Sequence, residues 1–218
     1  YLNPVMFLTG GEHTNGDHDN ATMGMDFRLF VRRGLSIYGE LLIDDITTTK
    51  LGTDWYGNKL AYQLGIFHVE PFGLRDVDSR VEYSRVDPWV YTHRFPINTY
   101  THYGDVLGYQ SGPNSDELFF EIRKRFSRRF HTALSWSKRR HGANTEEKKV
   151  GGDPLEGFIQ GYSKKARFLD GELEKTNAFG IDMSYELLWE LFVRIGYTYE
   201  DLNGDGINII RFSVGLNE

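Results

Sequence analysis

The stretch Met23 to Ile43, MGMDFRLFVRRGLSIYGELLI, constrains the fold of this chain more than any other. Met23, Met25, Phe27, Leu29 and Val31 are apolar at every second position; Leu35, Ile37, Gly39, Leu41 and Ile43 continue the series. Between them stand Asp26, Arg28, Arg32, Ser36, Tyr38 and Glu40. Successive side chains of a strand point to opposite faces, so this spacing predicts two two-faced strands joined by a turn near Arg33–Gly34. The apolar set keeps its parity across the turn, as it must if both strands show one face to the same environment. Pairing about Gly34 would set Arg28 opposite Glu40. Two architectures use such strands: a soluble sandwich with a wet outer surface, and a membrane barrel with a polar lumen.

The same alternation recurs down the chain. Leu60, Tyr62, Leu64 and Ile66 lead a strand to about Glu70, and Val81 and Tyr83 begin one that is expected to run to about Thr92. Leu118, Phe120 and Ile122 precede a turn at 127–129, after which Phe130, Thr132, Leu134 and Trp136 alternate with polar or small residues. Phe179, Ile181, Met183 and Tyr185 turn near Leu188 into Leu191, Val193, Ile195, Tyr197 and Tyr199, which would set Asp182 opposite Arg194. Ile210, Phe212, Val214 and Leu216 form the last strand. With a short strand within 1–9, limited by Pro4, the pattern predicts ten strands.

The connections alternate too. Short turns near 34, 71–78, 127–129 and 187–190 fall at one end, and the longer or more polar segments 10–21, 44–58, 93–115, 140–170 and 201–206 at the other. Up-and-down membrane barrels have this asymmetry, with short periplasmic turns and long extracellular loops, whereas sandwiches are built with Greek-key crossings. The expected fold is therefore all-β: an up-and-down antiparallel transmembrane β-barrel, one domain over residues 1–218.

Composition agrees and excludes some classes. A net charge of −6 over 218 residues argues against a nucleic-acid surface. The mean hydropathy of −0.48 reflects the absence of any apolar run near the roughly 20 residues of a membrane helix, which leaves barrel strands untouched. No cysteine is present, so disulfides and thiol-ligated metals are out. The chain opens on Tyr1 without a basic-then-apolar leader and so reads as a mature product or a fragment.

Few residues nominate chemistry. No nucleophile elbow, Walker loop, H-E-x-x-H or paired-carboxylate constellation occurs, so no enzyme is expected. DLNGDG (201–206) has the opening spacing of a calcium loop, but Phe212 stands where the closing acid belongs, so a polar turn is expected. His13, Asp17, His18 and Asp19 read as a solvated loop rather than a metal site, and no cofactor is expected. Trp89, Tyr91, Trp136, Tyr185, Trp189, Tyr197 and Tyr199 are placed near strand ends as an interfacial aromatic girdle. Trp55, Tyr56, Tyr100, Tyr103 and Tyr109 fall in loops on the outer side, where aromatic rings can stack on sugar faces; packing between loops is the plainer role for them. Mixed charges facing the lumen, among them Asp26, Arg28, Glu40, Glu121, Arg123, Asp182 and Arg211, suggest cross-strand ion pairs.

One region is more specific. DSRVEYSRVDPWVYTH (78–93) followed by NTYTHYGDVLGYQSGPNSDELFFEI (98–122) resembles the Wzi-type capsule assembly family of Gram-negative outer-membrane proteins. The resemblance implies a plugged barrel of about eighteen strands that helps retain capsular polysaccharide at the cell surface and behaves as a lectin. The strands found here would be its C-terminal portion. Expected partners are outer-membrane lipid, surface polysaccharide and other outer-membrane proteins; the alternative is a channel or a structural subunit of a larger outer-membrane complex.

Overall fold

The computed structural model describes Asn20 and residues 22–216. Its strands are β1 (Met23–Arg32), β2 (Leu35–Asp45), β3 (Lys59–Val69), β4 (Val77–Val86), β5 (Thr101–His102), β6 (Asp105–Val106), β7 (Ser115–Arg125), β8 (Phe130–Ala143), β9 (Glu172–Leu188), β10 (Leu191–Leu202) and β11 (Asp205–Leu216). Nine form a single antiparallel sheet in the order β1-β2-β3-β4-β7-β8-β9-β10-β11, while β5 and β6 pair only with each other. Apart from the β5–β6 hairpin, each strand lies beside its sequence neighbour, so the sheet is a meander. Among the described residues, helix is limited to three-residue 3-10 turns at Thr48–Lys50, Pro71–Gly73 and Pro96–Asn98.

The alternation seen in the sequence becomes two unlike faces. One carries Leu29, Leu64, Phe120, Leu134, Met183, Ile195 and Phe212, and it is open: Leu29 is 58% exposed, Ile195 50% and Phe212 68%. The other carries Tyr38, Gln63, Arg80, Glu82, Glu121, Arg123, Asp182 and Arg211, and is called the inner face below. Among the described residues no second sheet covers the apolar face. Among the described residues the buried apolar side chains are Ala61, Val86, Trp89, Val90, Tyr91 and Val150, which lie at or beyond the ends of the strands. A soluble sandwich would bury its apolar face between two sheets. This sheet does not.

The short connections β1–β2, β3–β4, β7–β8 and β9–β10 lie at one end. Gly34 takes the left-handed conformation (φ 80°) that the tight β1–β2 turn demands. At the other end are the segments 46–58, 87–114 and 144–171 and a two-residue turn at Asn203–Gly204.

Several expectations are corrected. The segment 201–206, grouped with the longer or more polar connections, is the polar turn expected of DLNGDG but only two residues long: Leu202 pairs with Asp205, and Asn203 (φ 52°) and Gly204 (φ 100°) supply the positive φ values of a type I′ turn. Arg28 faces Tyr38, and Asp26 faces Glu40, because an irregularity between Phe30 and Arg32 shifts the register. The β9–β10 turn lies at Trp189–Glu190, beyond Leu188, and with an irregularity between Leu191 and Phe192 it sets Arg194 opposite Ser184 instead of Asp182. β4 stops at Val86, not near Thr92. It lies between β3 and β7, where Pro88 could not donate to a ladder, so the alternation in PWVY continues as loop. Trp89 and Tyr91 are accordingly no girdle residues; both are buried, each with φ 68°. Trp136 lies mid-strand in β8, not at a strand end. The described strands number nine in the sheet, with β1 and β11 at opposite edges and unpaired with one another, so they do not close a barrel. The expected strand within 1–9 and the loop with His13, Asp17, His18 and Asp19 lie outside the described residues.

Candidate functional site at the loop-bearing end

The 87–114 segment leaves β4 at Val86 and folds back over the inner face before β7. Its first anchor is Asp44 at the end of β2, whose carboxylate accepts a 3.0 Å hydrogen bond from the Tyr91 backbone nitrogen. Lys59 of β3 donates to the Thr92 carbonyl at 3.0 Å. Tyr91 packs with Ala61, Val86 and Val90, and Leu42, Tyr100, Val106 and Tyr109 close around them. The Tyr91 and Tyr100 rings stack at 5.7 Å between centroids. Tyr109 completes the seal. Its backbone nitrogen donates to the Tyr91 hydroxyl at 3.0 Å, and its own hydroxyl donates to Glu117 of β7 at 2.8 Å. Burial, then the Glu117 carboxylate, pushes the Tyr109 phenol well above its usual range, so it acts as a neutral donor. Between this loop and the sheet remains a cavity of about 640 Å³, lined by Asp26, Glu40, Gln63, Ser84, Tyr91, Tyr100 and Tyr109 among others.

A second aromatic cluster forms where 46–58 meets 144–171. Tyr56 stacks on Phe158 at 3.8 Å, and Trp89 meets Phe158 edge-on at 5.4 Å and stacks with Tyr162 at 6.0 Å. Trp55 lies beside Tyr56 at 4.8 Å and carries the Lys50 ammonium over its face at 3.1 Å. Trp55 and Lys165 make a β-bridge, and the Ala166 nitrogen donates to the Asp54 carbonyl at 2.8 Å.

One asparagine joins the two arrangements. Asn114, fully buried with φ 54°, donates from Nδ2 to the carbonyls of Gly142 (2.7 Å) and Asp170 (3.0 Å). Its Oδ1 accepts from the Leu169 nitrogen at 2.7 Å. The end of the inner loop and the end of 144–171 thus share one side chain.

The five aromatic residues expected to meet sugar do not form one patch. Trp55 and Tyr56 belong to the second cluster, Tyr100 and Tyr109 to the inner loop, and Tyr103 stands by itself at the β5–β6 tip, 96% exposed with His102 edge-on at 4.4 Å. Phe158, Tyr162, Trp89 and Tyr91, which hold these groups in place, were not identified from sequence as loop-cluster residues. The usable signal was Pro88.

Below the loop, the inner face carries ion pairs, of which Arg80 of β4 with Glu121 of β7 is of the expected cross-strand kind. Arg123 meets Glu121 at 2.8 Å and Arg80 meets both Glu121 and Glu82 at 3.6 Å. The Tyr38 hydroxyl and the Gln63 amide donate to Glu82 at 2.5 and 3.0 Å. Among the described residues, no group of three or more His, Cys, Asp or Glu is placed to hold a metal ion.

A meandering antiparallel sheet with one exposed apolar face, one charged face and loops gathered at one end has the features of the walls of outer-membrane barrels. The family model of the capsule assembly protein Wzi matches residues 4–206, and the chain belongs to that family. Comparison with curated proteins returned no match. Among solved structures, the chain is similar to the crystal structure of Pseudomonas aeruginosa OccD3 (OpdP), with 14% identity and a TM-score of 0.49 over 88% of this chain and 48% of that one. It thus spans about half the length of that structure.

Proposed function

We propose that this protein forms part of a larger outer-membrane β-barrel of the Gram-negative envelope and binds surface polysaccharide at its loop-bearing end, without covalent chemistry. The observation that carries the reading is the exposed apolar face of a sheet whose other face is charged. Lipid is the solvent that such a face fits. Membership of the Wzi family supports capsular polysaccharide as the partner. The edges β1 and β11 are long and exposed along nearly their whole length, and unpaired edges of this kind invite further strands. The sheet would then be the C-terminal portion of the barrel. The long segments point outward and the short turns toward the periplasm.

The inner loop supports a plugged mouth over an open pore. Its hold rests on Asp44, Lys59 and Glu117, one anchor from each of three strands. Within this reading Tyr103 and Trp55 are the aromatic rings that meet sugar first, while Tyr56, Tyr100 and Tyr109 shape the surface behind them. The test is capsule retention by cells that produce the Tyr103→Ala and Trp55→Ala variants at the wild-type level. Retention should fall while folding yield holds. Unchanged retention in the double variant would overturn the assignment.

A further inference from the structure

Far from the loops, near the short-turn end, the inner face has a different character. Two adjacent rows of the sheet run across β7 to β11 there. In the first, Arg123, Ala133, Asp182, Gly196 and Arg211 stand side by side by register; in the second, Arg125, His131, Ser184, Arg194 and Ser213 do. Side chains in register on neighbouring strands lie about 5 Å apart, so each row is a continuous strip. Arginines flank the first strip around Ala133, Asp182 and Gly196; the second carries Arg125 and Arg194 with His131 and Ser184 between them and Ser213 at its far edge.

The floor is real space. A Cβ at Gly196 would meet the Asp182 carboxylate at 2.6 Å and the Arg211 guanidinium at 3.4 Å, so those two groups lie directly over the bare backbone. Arg211 donates to Thr198 at 3.0 Å and reaches Asp182 at 3.7 Å; both side chains of that pair are 56% exposed. Arg123 is tied to Glu121 but remains 59% exposed, and Arg125 meets Asp76 only at 3.8 Å. The groups enclose a concavity of about 860 Å³. Its four arginines outnumber Asp78 and Asp182, the carboxylates lining it. The cavity at the loop-bearing end has the opposite balance, with Asp26 and Glu40 against Arg85.

We propose that this concavity is an anion site that takes the carboxylate or phosphate of an acidic saccharide resting inside the wall. Planar guanidinium groups match such oxyanions two bonds at a time. Ser184 and Ser213 lie on the same floor and can exchange hydrogen bonds with sugar hydroxyls. The site is separate from the aromatic loops and stands or falls independently of them.

The test uses the full chain folded in detergent and titrates three probes. These are a defined oligosaccharide alternating uronic acid with N-acetylhexosamine, its carboxyl-reduced neutral form, and inorganic phosphate. The acidic oligosaccharide should bind, weaken steeply with added salt, and lose at least tenfold in affinity in Arg194→Gln/Arg211→Gln. Gly196→Leu, which crowds the floor and keeps every charge, should weaken it as well. Circular dichroism and heat-modifiable gel migration verify that each variant is folded. Equal binding of the neutral form, phosphate binding as tight as the oligosaccharide, or indifference to the arginine pair would each overturn the proposal.

Discussion

The hydroxyl of Tyr91 accepts a 3.0 Å hydrogen bond from the backbone nitrogen of Tyr109. Eighteen positions apart in the chain, the two residues close the inner loop into a ring whose ends sit on β4 and β7. Gly108 leaves no room beside the Tyr91 phenol: a Cβ there would collide with its oxygen and ring. The fit is therefore one of shape as well as of polarity.

The first prediction follows from that closure. Tyr91→Ala removes a buried ring and the acceptor for the Tyr109 nitrogen, and should cost about 3–5 kcal/mol of the loop's local stability, as for other large aromatic truncations. In planar bilayers the variant should show flickering ion conductance where the parent protein is silent. Silence in both would mean that the loop is not what blocks the mouth.

The second concerns Asn114. Its amide satisfies two carbonyls and a backbone nitrogen that loop geometry places out of water, and an unmet buried group costs about 1–3 kcal/mol. Asn114→Ala should leave the sheet folded but release 144–171. Limited proteolysis should then cut within 144–171 well before the strands. Wild-type cleavage kinetics would dismiss the shared-anchor role.

The third uses pH. The Lys148 ammonium, at 2.6 Å, holds Asp170 below its ordinary carboxylate range, and Lys149, at 2.7 Å, does the same for Glu156. Depressed folded values mean stability that is present above the ordinary carboxylate pKa of about 4 and lost as pH falls through the folded values. Both pairs are partly exposed, so the effect is modest and weakens with salt. Asp87, pushed up by burial, acts in the opposite sense: its carboxylate costs folding free energy as pH rises through its folded value. Acidification should thus loosen 144–171 while leaving Asp87 at ease. Emission from Trp89, in a protein with Trp55, Trp136 and Trp189 changed to Phe, should shift below about pH 4. A flat profile down to pH 2 would count against it.

The fourth probes the inner wall. A Cβ at Gly65 would run into the Tyr38 ring, which lies across it to reach Glu82. Gly65→Ala should displace the ring and cost about 1–3 kcal/mol, as overpacking does. The thermal midpoint in detergent should drop, and Tyr38→Phe, which keeps the ring but not the bond, should drop it less. A reversed order would assign the energy to the hydrogen bond.

The fifth separates the two faces. Phe120 lies mid-strand on the apolar face between Val81 and Trp136. Arginine in its place would put a charge against lipid, at about 2–4 kcal/mol near the midplane. Phe120→Arg should abolish insertion into vesicles, while Ser135→Arg on the inner face should insert normally. Equal behaviour of the two would remove the case for a lipid-facing side.

Much of this was readable in advance. The parity of Met25, Phe27, Leu29 and Ile37, Leu41 survives intact in the register, because a slip of one residue would turn a whole apolar row inward. The nature of the strands and their order followed from that. Pairings of individual charges did not: the position of each two-residue turn and the irregularity beside it together move the partners of Arg28 and Arg194 by two positions, and nothing in RRGLS or ELLWE marks them. Trp89 and Tyr91 were the harder case. They alternate like strand residues and are aromatic like girdle residues, yet Pro88 ends the ladder and both adopt left-handed backbone that a strand excludes. The aromatic clusters depend on contacts such as Tyr56 with Phe158, a hundred positions away, that no local pattern encodes.

The pleat also bears on how a wall of this kind can change over generations. Inserting one residue inside β3 or β7 would carry half a strand's apolar side chains into the charged interior and its charges into contact with lipid. Length drift is therefore shut out of the strands and confined to 46–58, 87–114 and 144–171, whose backbones can lengthen without reversing any parity. The loop-bearing end is the part of the protein free to be rewritten, and the same two-residue repeat that seats the sheet leaves it so.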